Sequence, residues 1–290
     1  MIFDATTEII GVIGDPIFHS LSPLIHNTIF DHYELNTVYL PFLVKKGDIK
    51  DFLTAASMMN MRGFNLTMPH KSAILPHLQT MDSTVELFAA ANTVKIGEDG
   101  LSGYMFDGEG LVSYLERNHV PIENQNVVLL GAGSVTGSIA LSLTARNAAH
   151  ITILNRTVEK ASSIASLINI CTGVPTDYGE LTTAQITASC ETATLLIQTS
   201  SLGMKGTGSD YRQLSFLDAL PKNAVVADVV YNPIETALLK HARKIGLEAY
   251  DGLGMLIGQA AMIDQAILGL KVEDDAFLKA SKAVRKILEP

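Results

Sequence analysis

Residues 126–137 read NVVLLGAGSVTG, and this stretch decides the fold class of the chain. An apolar run leads directly into Gly131, Gly133 and Gly137, and a helical pattern follows them. In such a turn the first glycine permits the tight bend, the second leaves room for a pyrophosphate, and the third lets helix and strand pack closely. The N-terminus of the helix then offers free N–H groups and a positive dipole end to phosphates. The stretch therefore predicts a dinucleotide-binding site.

The end of the next strand, Ile151–Leu154, indicates which dinucleotide is bound. Sites for NAD usually carry Asp or Glu there, which accepts hydrogen bonds from the ribose 2′-hydroxyl. This chain has Asn155, Arg156 and Thr157 instead, with Lys160 one turn later. A carboxylate would repel a 2′-phosphate, whereas a guanidinium pairs with it. The segment favours NADP over NAD, and it is compatible with Asn155 or Thr157 also capping the helix while Arg156 faces solvent.

Short apolar runs alternate with amphipathic ones on both sides of this turn, a pattern typical of βαβ units on a parallel sheet. The runs predict strands at Ile9–Ile13, Val38–Phe42, Gly63–Leu66, Asn92–Ile96, Thr194–Gln198, Val225–Asp228 and Leu247–Tyr250. The amphipathic segments predict helices at Pro23–His32, Gly47–Met59, Lys71–Leu78, Ser138–Arg146 and Gly108–His119. Beyond the turn Asp251–Gly254 the pattern is helical to the end.

The fold prediction is a two-domain α/β protein. An N-terminal α/β domain is expected over residues 1–105, joined by C-terminal helices that return to it over 252–290; the family resemblance described below implies that this domain binds the substrate. A Rossmann-type NADP domain is expected over 106–251.

Composition excludes several classes of function. The 290 residues include 21 basic and 30 acidic side chains, a net charge of −9, which argues against a nucleic-acid or anionic-membrane binder. Hydrophobic residues make up 47%, enough for a large core. Cys171 and Cys190 fit neither a disulfide framework nor a metal site. With no leader pattern and no long apolar run, we expect a soluble cytoplasmic protein without a metal.

Polar residues cluster where strands of the first region end. Ser20 and Ser22 precede a helix opened by Pro23, so they could form a small carboxylate site or Ser22 could simply be the N-cap. Lys71 follows a predicted strand at an expected helix N-terminus, where a cation is disfavoured unless it has a function; the alternative is a solvated lysine. Asp107 is either a functional carboxylate or the N-cap of the following helix.

Taken together, these segments resemble the shikimate dehydrogenase family, which includes quinate/shikimate dehydrogenases. The family pattern runs G-x-P-x-x-H-S-x-S-P-x-x-H-N, N-x-T-x-P-x-K, N-T, a glycine-flanked aspartate, GAG, N-R-T and G-x-x-M-L-x-x-Q. Beside the Gly131 turn, the matching positions are Gly14, Pro16, His19, Ser20, Ser22, Pro23, His26, Asn27, Asn65, Thr67, Pro69, Lys71, Asn92, Thr93, Asp107, Asn155, Arg156, Thr157, Gly252, Met255, Leu256 and Gln259.

The resemblance implies NADP-dependent, reversible reduction of 3-dehydroshikimate to shikimate, on the route to chorismate and aromatic amino acids. It implies that Ser20 and Ser22 hold the substrate carboxylate and that Lys71 and Asp107 form the catalytic pair. Contacts to the ring hydroxyls or to this pair are implied for Thr67, Asn92, Tyr231 and Gln259. The implied cofactor-binding residues are Gly131, Ala132, Gly133, Ser134, Gly137, Asn155, Arg156, Thr157, Lys160, Thr199 and Gly252. His19, His26 and His70 are assigned structural or solvent roles. Family members occur as monomers and homodimers.

One position departs from the family pattern. The segment before Asp107 usually reads Asn-Thr, but here Phe106 replaces the threonine, whose hydroxyl reaches the substrate in the family. Phenylalanine offers no conventional hydrogen bond, and a substrate hydroxyl left without its partner costs about 1–3 kcal/mol. The alternatives are therefore a dehydrogenase of quinate or another shikimate-like acid, and a non-catalytic NADP sensor; retention of Lys71 and Asp107 argues against the sensor.

Overall fold

The computed structural model describes residues 3–289, which form two units. The first comprises Met1–Phe106 and Ile257–Pro290, and the second comprises Asp107–Leu256. The sequence placed the divisions after residues 105 and 251, whereas the structure has them after 106 and 256. Across residues 3–289, no helix is both long enough and apolar enough to cross a membrane.

Within residues 3–106, the first unit has six strands and three α-helices. Its strands are β1 (Glu8–Gly14), β2 (Thr37–Leu43), β3 (Gly63–Leu66), β4 (Thr80–Met81), β5 (Thr93–Gly97) and β6 (Gly100–Tyr104). Its helices are α1 (Ser22–His32), α2 (Ile49–Met58) and α3 (Ser83–Phe88), with a 3-10 turn at Leu75–His77.

The second unit alternates strands and helices. Its strands are β7 (Asn126–Leu130), β8 (His150–Asn155), β9 (Thr176–Glu180), β10 (Leu195–Gln198), β11 (Val225–Asp228) and β12 (Glu248–Tyr250). Its helices are α4 (Asp107–Arg117), α5 (Thr136–Thr144), α6 (Val158–Thr172), α7 (Thr183–Cys190) and α8 (Ala237–Lys244). The chain continues with α9 (Gly252–Leu268) and α10 (Asp274–Leu288).

The sheet of the first unit is mixed, in the order β2-β1-β3-β5-β6-β4. Strands β2, β1 and β3 are parallel, but β5 runs antiparallel to β3 and to β6. The prediction of a parallel sheet is therefore wrong for β5, which runs antiparallel to both of its neighbours. The chain reverses between β5 and β6 through Gly100, whose φ of +109° is a backbone conformation that favours glycine.

The sheet of the second unit confirms the predicted Rossmann-type fold with its parallel strands. Its order is β12-β11-β10-β7-β8-β9, and each neighbouring pair is parallel. The strand order changes direction between β7 and β10, and ligands of such sheets bind at the carboxyl ends of the strands at this point. The glycine turn that follows β7 lies at this edge.

Each unit has its own apolar core. In the first, Ile13, Phe64 and Val94 are buried between the sheet and its helices. In the second, Val128 and Leu196 belong to the corresponding cluster. Fully burying a side chain of this kind contributes about 1.5–3 kcal/mol to the stability of the fold. The two cores therefore hold in place the strand ends that carry the polar residues.

Two local predictions are wrong. The helix expected over Lys71–Leu78 is only the 3-10 turn Leu75–His77, because Pro76 lacks an N–H and disfavours α-helical geometry in the residue before it. Ser22 is not the N-cap of α1, because the helix begins at Ser22 itself with Leu21 at the N-cap position. Helix α4 begins at Asp107. The argument that Lys71 sits at a helix N-terminus therefore no longer applies.

The contact between α4 and α5 yields a stability prediction. A Cβ at Gly108 would lie 2.1 Å from the backbone oxygen of Ser138, so Gly108→Ala must displace a helix backbone. We expect the free energy of unfolding to fall by about 2–3 kcal/mol, the usual cost of overpacking. Gly97→Ala is the control, because its new Cβ would meet nothing closer than 3.9 Å. Urea unfolding measures both, and equal midpoints for the two variants would contradict the described packing.

Candidate active site

The glycine turn after β7 is held by its own backbone geometry. Gly131 has φ +129°, and a Cβ there would lie 2.9 Å from Thr199 Oγ1, so only glycine fits. The Thr199 hydroxyl lies 2.9 Å from the Thr136 hydroxyl and 3.3 Å from the Gly131 carbonyl. Thr136 begins α5, and its hydroxyl accepts a hydrogen bond from Gly133 N at 3.1 Å. The sequence did not single out Thr136, although it stands within the quoted stretch.

Gly133 is a glycine that the protein's own packing does not require. A Cβ there would meet only the Thr199 carbonyl oxygen, at an ordinary 3.7 Å, and its φ lies outside the left-handed region. This observation fits a turn that leaves room for a pyrophosphate. Ser134 is exposed beside it, and Gly137 is buried in the first turn of α5.

Asn155 connects the glycine turn to the segment after β8. Its Oδ1 accepts a hydrogen bond from Ala132 N at 3.1 Å, and its Nδ2 donates to the Thr157 carbonyl at 2.9 Å. Thr157 occupies the N-cap position of α6 without a side-chain capping bond. Arg156 and Lys160 are exposed, and neither makes an ion pair with a carboxylate within residues 3–289. This edge therefore presents cations suited to a phosphate.

A cavity of about 590 Å³ opens beside Arg156. Leu181 and Thr183 line it next to β9 and α7, and the segment 208–213 lines it from the far side. That segment contributes Arg212, a second exposed cation that the sequence analysis missed because no motif surrounds it. The Asp210 carboxylate lines the cavity as well, so its lining carries two cations and one anion. The volume and the two guanidinium groups suit the adenosine end of a phosphorylated dinucleotide.

Gly252 and Tyr231 lie near the end of β11. A Cβ at Gly252 would lie 2.3 Å from the Val229 carbonyl oxygen, so backbone packing accounts for this glycine without a ligand. Its predicted cofactor role stays a prediction. Tyr231 is half-buried, and burial raises the pKa of its phenol.

In the first unit, Ser20 and Ser22 lie side by side: Ser22 N donates to Ser20 Oγ at 3.3 Å. Ser22 also forms a hydrogen bond with the phenol of Tyr39, which opposes the strong upward shift that burial gives to the pKa of Tyr39. Tyr39 in turn donates to Asn65 Oδ1 at 2.8 Å. A predicted carboxylate-binding serine is thus connected to the interior of the sheet.

The same polar chain continues to Asn92. Asn65 Nδ2 donates to the Asn92 carbonyl and to Thr93 Oγ1, each at 3.1 Å. Asn92 Oδ1 accepts from Thr93 Oγ1 at 2.9 Å and from Phe106 N at 3.0 Å. Asn92 is fully buried, so this amide is fixed by protein contacts. The Phe106 ring is half-buried and stacks on Tyr104 with centroids 5.4 Å apart.

Thr67 and Lys71 lie at the same edge of this sheet. Thr67 follows β3, and its N–H donates to the Ile13 carbonyl at 3.0 Å. The Lys71 carbonyl accepts from Ala91 N at 2.8 Å, which places Lys71 beside Asn92. Both side chains are half-buried, as is Gln259 on α9. In the second unit, Asp107 is the first residue of α4 and is buried.

His26, assigned a structural role from the sequence, forms a buried pair with Asp264. Its Nδ1 lies 2.6 Å from Asp264 Oδ1, and both side chains are 1% exposed or less. The imidazole stacks on the Tyr39 ring at a centroid distance of 4.0 Å. Burial raises the pKa of Asp264 although His26 opposes the shift. The pair connects α9 to α1, next to the ring of Tyr39.

Comparison with known proteins identifies the family. A curated protein of Alkaliphilus oremlandii, named shikimate dehydrogenase (NADP(+)), is 38% identical over 259 residues, which are 88% of this chain and 90% of that protein. The chain belongs to the shikimate dehydrogenase family. A family model for the shikimate dehydrogenase substrate binding domain matches residues 12–94, and one for shikimate / quinate 5-dehydrogenase matches 114–227.

Solved structures agree with this membership. The shikimate 5-dehydrogenase of Listeria monocytogenes, in complex with shikimate and NAD, superposes with a TM-score of 0.89 at 29% identity, covering 96% of this chain and 97% of that one. The ligand-free 5-ketofructose reductase of a Gluconobacter species superposes with a TM-score of 0.87 at 30% identity, covering 98% and 100%. The shikimate dehydrogenase fold thus also carries an enzyme named for a different substrate.

The geometry of Gly133 yields a test of cofactor binding. Gly133→Ala adds a methyl group where the protein has room, so we expect an unchanged urea midpoint. The same methyl enters the predicted path of the pyrophosphate, so we expect the dissociation constant for NADPH, measured by fluorescence titration, to rise at least about tenfold. Unchanged NADPH affinity would contradict the assignment of the turn.

Proposed function

We propose that the chain is an NADP-dependent shikimate dehydrogenase that reversibly reduces 3-dehydroshikimate to shikimate, a step toward chorismate and the aromatic amino acids. The observation that carries this proposal is the likeness to the Alkaliphilus oremlandii shikimate dehydrogenase (NADP(+)) over 88% of the chain. The absence of a carboxylate at the end of β8, where Asn155, Arg156 and Thr157 stand, supports NADP independently.

For the substrate, we propose that the hydroxyls of Ser20 and Ser22 bind the carboxylate of shikimate. Thr67, Asn92, Tyr231 and Gln259 are proposed to orient the ring hydroxyls. The fixed hydrogen-bond chain from Ser22 to Asn92 supports this, because preorganised polar groups bind a hydroxylated ring without reordering.

For catalysis, we propose that Lys71 and Asp107 act together at the hydroxyl that is oxidised. Oxidation removes a hydride from the carbon and a proton from its oxygen. When NADP is bound, its nicotinamide ring supplies the hydride acceptor. Lys71 and Asp107 together accept the proton of the hydroxyl and stabilise the negative charge that develops on its oxygen.

For the cofactor, we propose that the turn residues Gly131, Ala132, Gly133, Ser134 and Gly137, with Thr199, receive the pyrophosphate. Asn155, Arg156, Thr157 and Lys160 are proposed to hold the adenosine 2′-phosphate. We also propose that the protein works in the cytoplasm as a monomer or homodimer without a nucleic-acid or membrane partner, which the family resemblance and the net charge of −9 support.

The reaction is tested by NADPH formation at 340 nm with shikimate, run beside quinate and beside NAD. We expect turnover of shikimate with NADP. In Lys71→Ala and Asp107→Asn, we expect kcat to fall by about 10²–10⁴, the usual contribution of a positioned acid or base, while NADPH affinity is retained. A wild-type protein that binds NADPH and turns over quinate but not shikimate would contradict the proposal.

Cofactor choice is tested at Arg156. Arg156→Gln removes a charge-assisted contact to the 2′-phosphate, so we expect the KM for NADP to rise about tenfold or more while the KM for NAD is unchanged. Arg62→Gln is the matched control, because Arg62 is an exposed arginine in the first unit that pairs with Glu8 at 3.3 Å. Equal effects of Arg156→Gln on NADP and NAD would remove Arg156 from the phosphate site.

A further inference from the structure

Asp228, the last residue of β11, carries a carboxylate that is only 1% exposed. Its Oδ1 accepts hydrogen bonds from Val230 N at 2.9 Å and from Gln198 Nε2 at 3.3 Å. Its Oδ2 accepts from the Thr236 hydroxyl at 2.8 Å. The activity assigned above gives this buried acid no role.

The partners of Asp228 organise the two loops that follow β10 and β11. Gln198 Nε2 also donates to the carbonyls of Ser200 and Leu202, each at 3.0 Å, at the start of the β10 loop (residues 199–214). Thr236 closes the β11 loop (residues 229–236), where it is the N-cap of α8 and accepts from Leu239 N. One carboxylate therefore connects both loops.

Both loops carry residues assigned to the ligands: Tyr231 of the β11 loop is assigned to the substrate, and the β10 loop carries residues assigned to the dinucleotide. Thr199, the first residue of the β10 loop, is the residue whose hydroxyl contacts Thr136 and the Gly131 carbonyl. Arg212 stands further along the same loop and lines the cavity beside Arg156. Gln198 therefore connects Asp228 to the loop that forms these walls of the dinucleotide site.

We propose that Asp228 is a positioning residue for the cofactor: its ionised carboxylate, by accepting hydrogen bonds from both loops at once, holds them in the arrangement that binds NADP. The proposal rests on the proposed function in that it takes NADP as the ligand of this unit. Asp228 itself acts through Gln198 and Thr236 and is not assigned a contact with the cofactor.

The protonation state of Asp228 decides how many of these bonds form. Burial raises its pKa to about 7, and the negative charge of Asp210 in the β10 loop adds to the shift. Burial raises the pKa of Tyr211 in that loop, and the charge of Asp228 adds to this shift. The groups that face it from β10 and α8, Gln198 and Thr236, are uncharged. All three partners donate, so the ionised carboxylate accepts every bond, whereas a protonated oxygen must itself find an acceptor.

Ionisation of Asp228 has opposite effects on binding and on stability. Between the ordinary carboxyl pKa of 3.8 and about 7, the folded chain keeps a proton on Asp228 that the unfolded chain has released. The contribution of this group to stability therefore falls as pH rises through that interval. The folded chain ionises Asp228 only around pH 7, at the upper end of that interval, so the loops gain their full set of bonds there and cofactor affinity rises.

The experiment compares the wild type with Asp228→Asn, which keeps one acceptor oxygen but replaces the other with a donor, as protonation does. NADPH dissociation constants are measured between about pH 5.5 and about pH 8.5, the range that brackets the titration. We expect the variant to bind about tenfold more weakly at the alkaline end and equally at the acid end. The 2′-phosphate also titrates in this range, but it does so for both proteins, so the ratio of the two constants isolates Asp228.

Two further readouts distinguish positioning from a purely structural role. With saturating shikimate, the KM for NADP of Asp228→Asn should rise while its kcat changes by less than about twofold. Its urea midpoint relative to wild type should increase toward alkaline pH, because the variant avoids the cost of ionising a buried acid. A structural role alone predicts a variant that is less stable at every pH and whose affinity ratio does not vary.

Asp210→Asn keeps the test decisive if Asp228→Asn fails to fold. Removing the Asp210 charge leaves every bond to Asp228 in place but lowers its pKa, so the midpoint of the affinity profile should move to lower pH. An affinity ratio that is flat with pH, or a midpoint unmoved in Asp210→Asn, would overturn the inference. A wild type that binds NADPH but does not oxidise shikimate overturns the proposed activity alone, and one that binds no NADPH overturns both.

Discussion

The second unit depends on one backbone angle. Gly131 adopts a φ of +129°, which turns the chain out of β7 so that α5 begins at Thr136 and directs its free N–H groups toward the carboxyl edge of the sheet. Thr199 then fills the space that a side chain at Gly131 would occupy. A larger residue at Gly131 would displace the β10 loop as well as the turn, since the two are in direct contact. The end of β7, the N-terminus of α5 and the β10 loop therefore depend on one another for their positions.

The first unit is organised by a different constraint, the need to satisfy buried polar groups. Tyr39, Asn65 and Asn92 lie inside an apolar sheet and are tolerated because each is hydrogen-bonded to the next. The buried pair of His26 and Asp264 packs against this hydrogen-bond chain, because the His26 ring stacks on the ring of Tyr39. Removing one partner leaves the other buried without its hydrogen bond, which costs about 1–3 kcal/mol. The rigidity of the predicted substrate-binding residues thus follows from the requirements of folding.

The sequence predicted the second unit better than the first, for physical reasons. The turn around Gly131 and the segment at Asn155 are local signals in which strand, glycine and helix follow one another within a few residues. The antiparallel direction of β5 could not be predicted, because an apolar run indicates a strand but not the direction in which it pairs. Pro76 was overlooked within the helix predicted over Lys71–Leu78. Arg212 gave no signal, and the partner of His26 stands 238 residues away in the chain. Site residues whose roles depend on tertiary contacts were predicted only through the family resemblance.

The bond between Phe106 and Asn92 has a consequence for how the family diversifies. It is made by the backbone N–H of Phe106, so any amino acid with a backbone N–H supports the buried amide equally well. The side chain at this position can therefore change without loss of this bond, and a replacement gives up only the stacking of the ring on Tyr104. Substrate preference could drift here by single replacements, in a family whose fold also carries a 5-ketofructose reductase. Position 106 is therefore a place where the side chain can change while the backbone bond that holds Asn92 is kept.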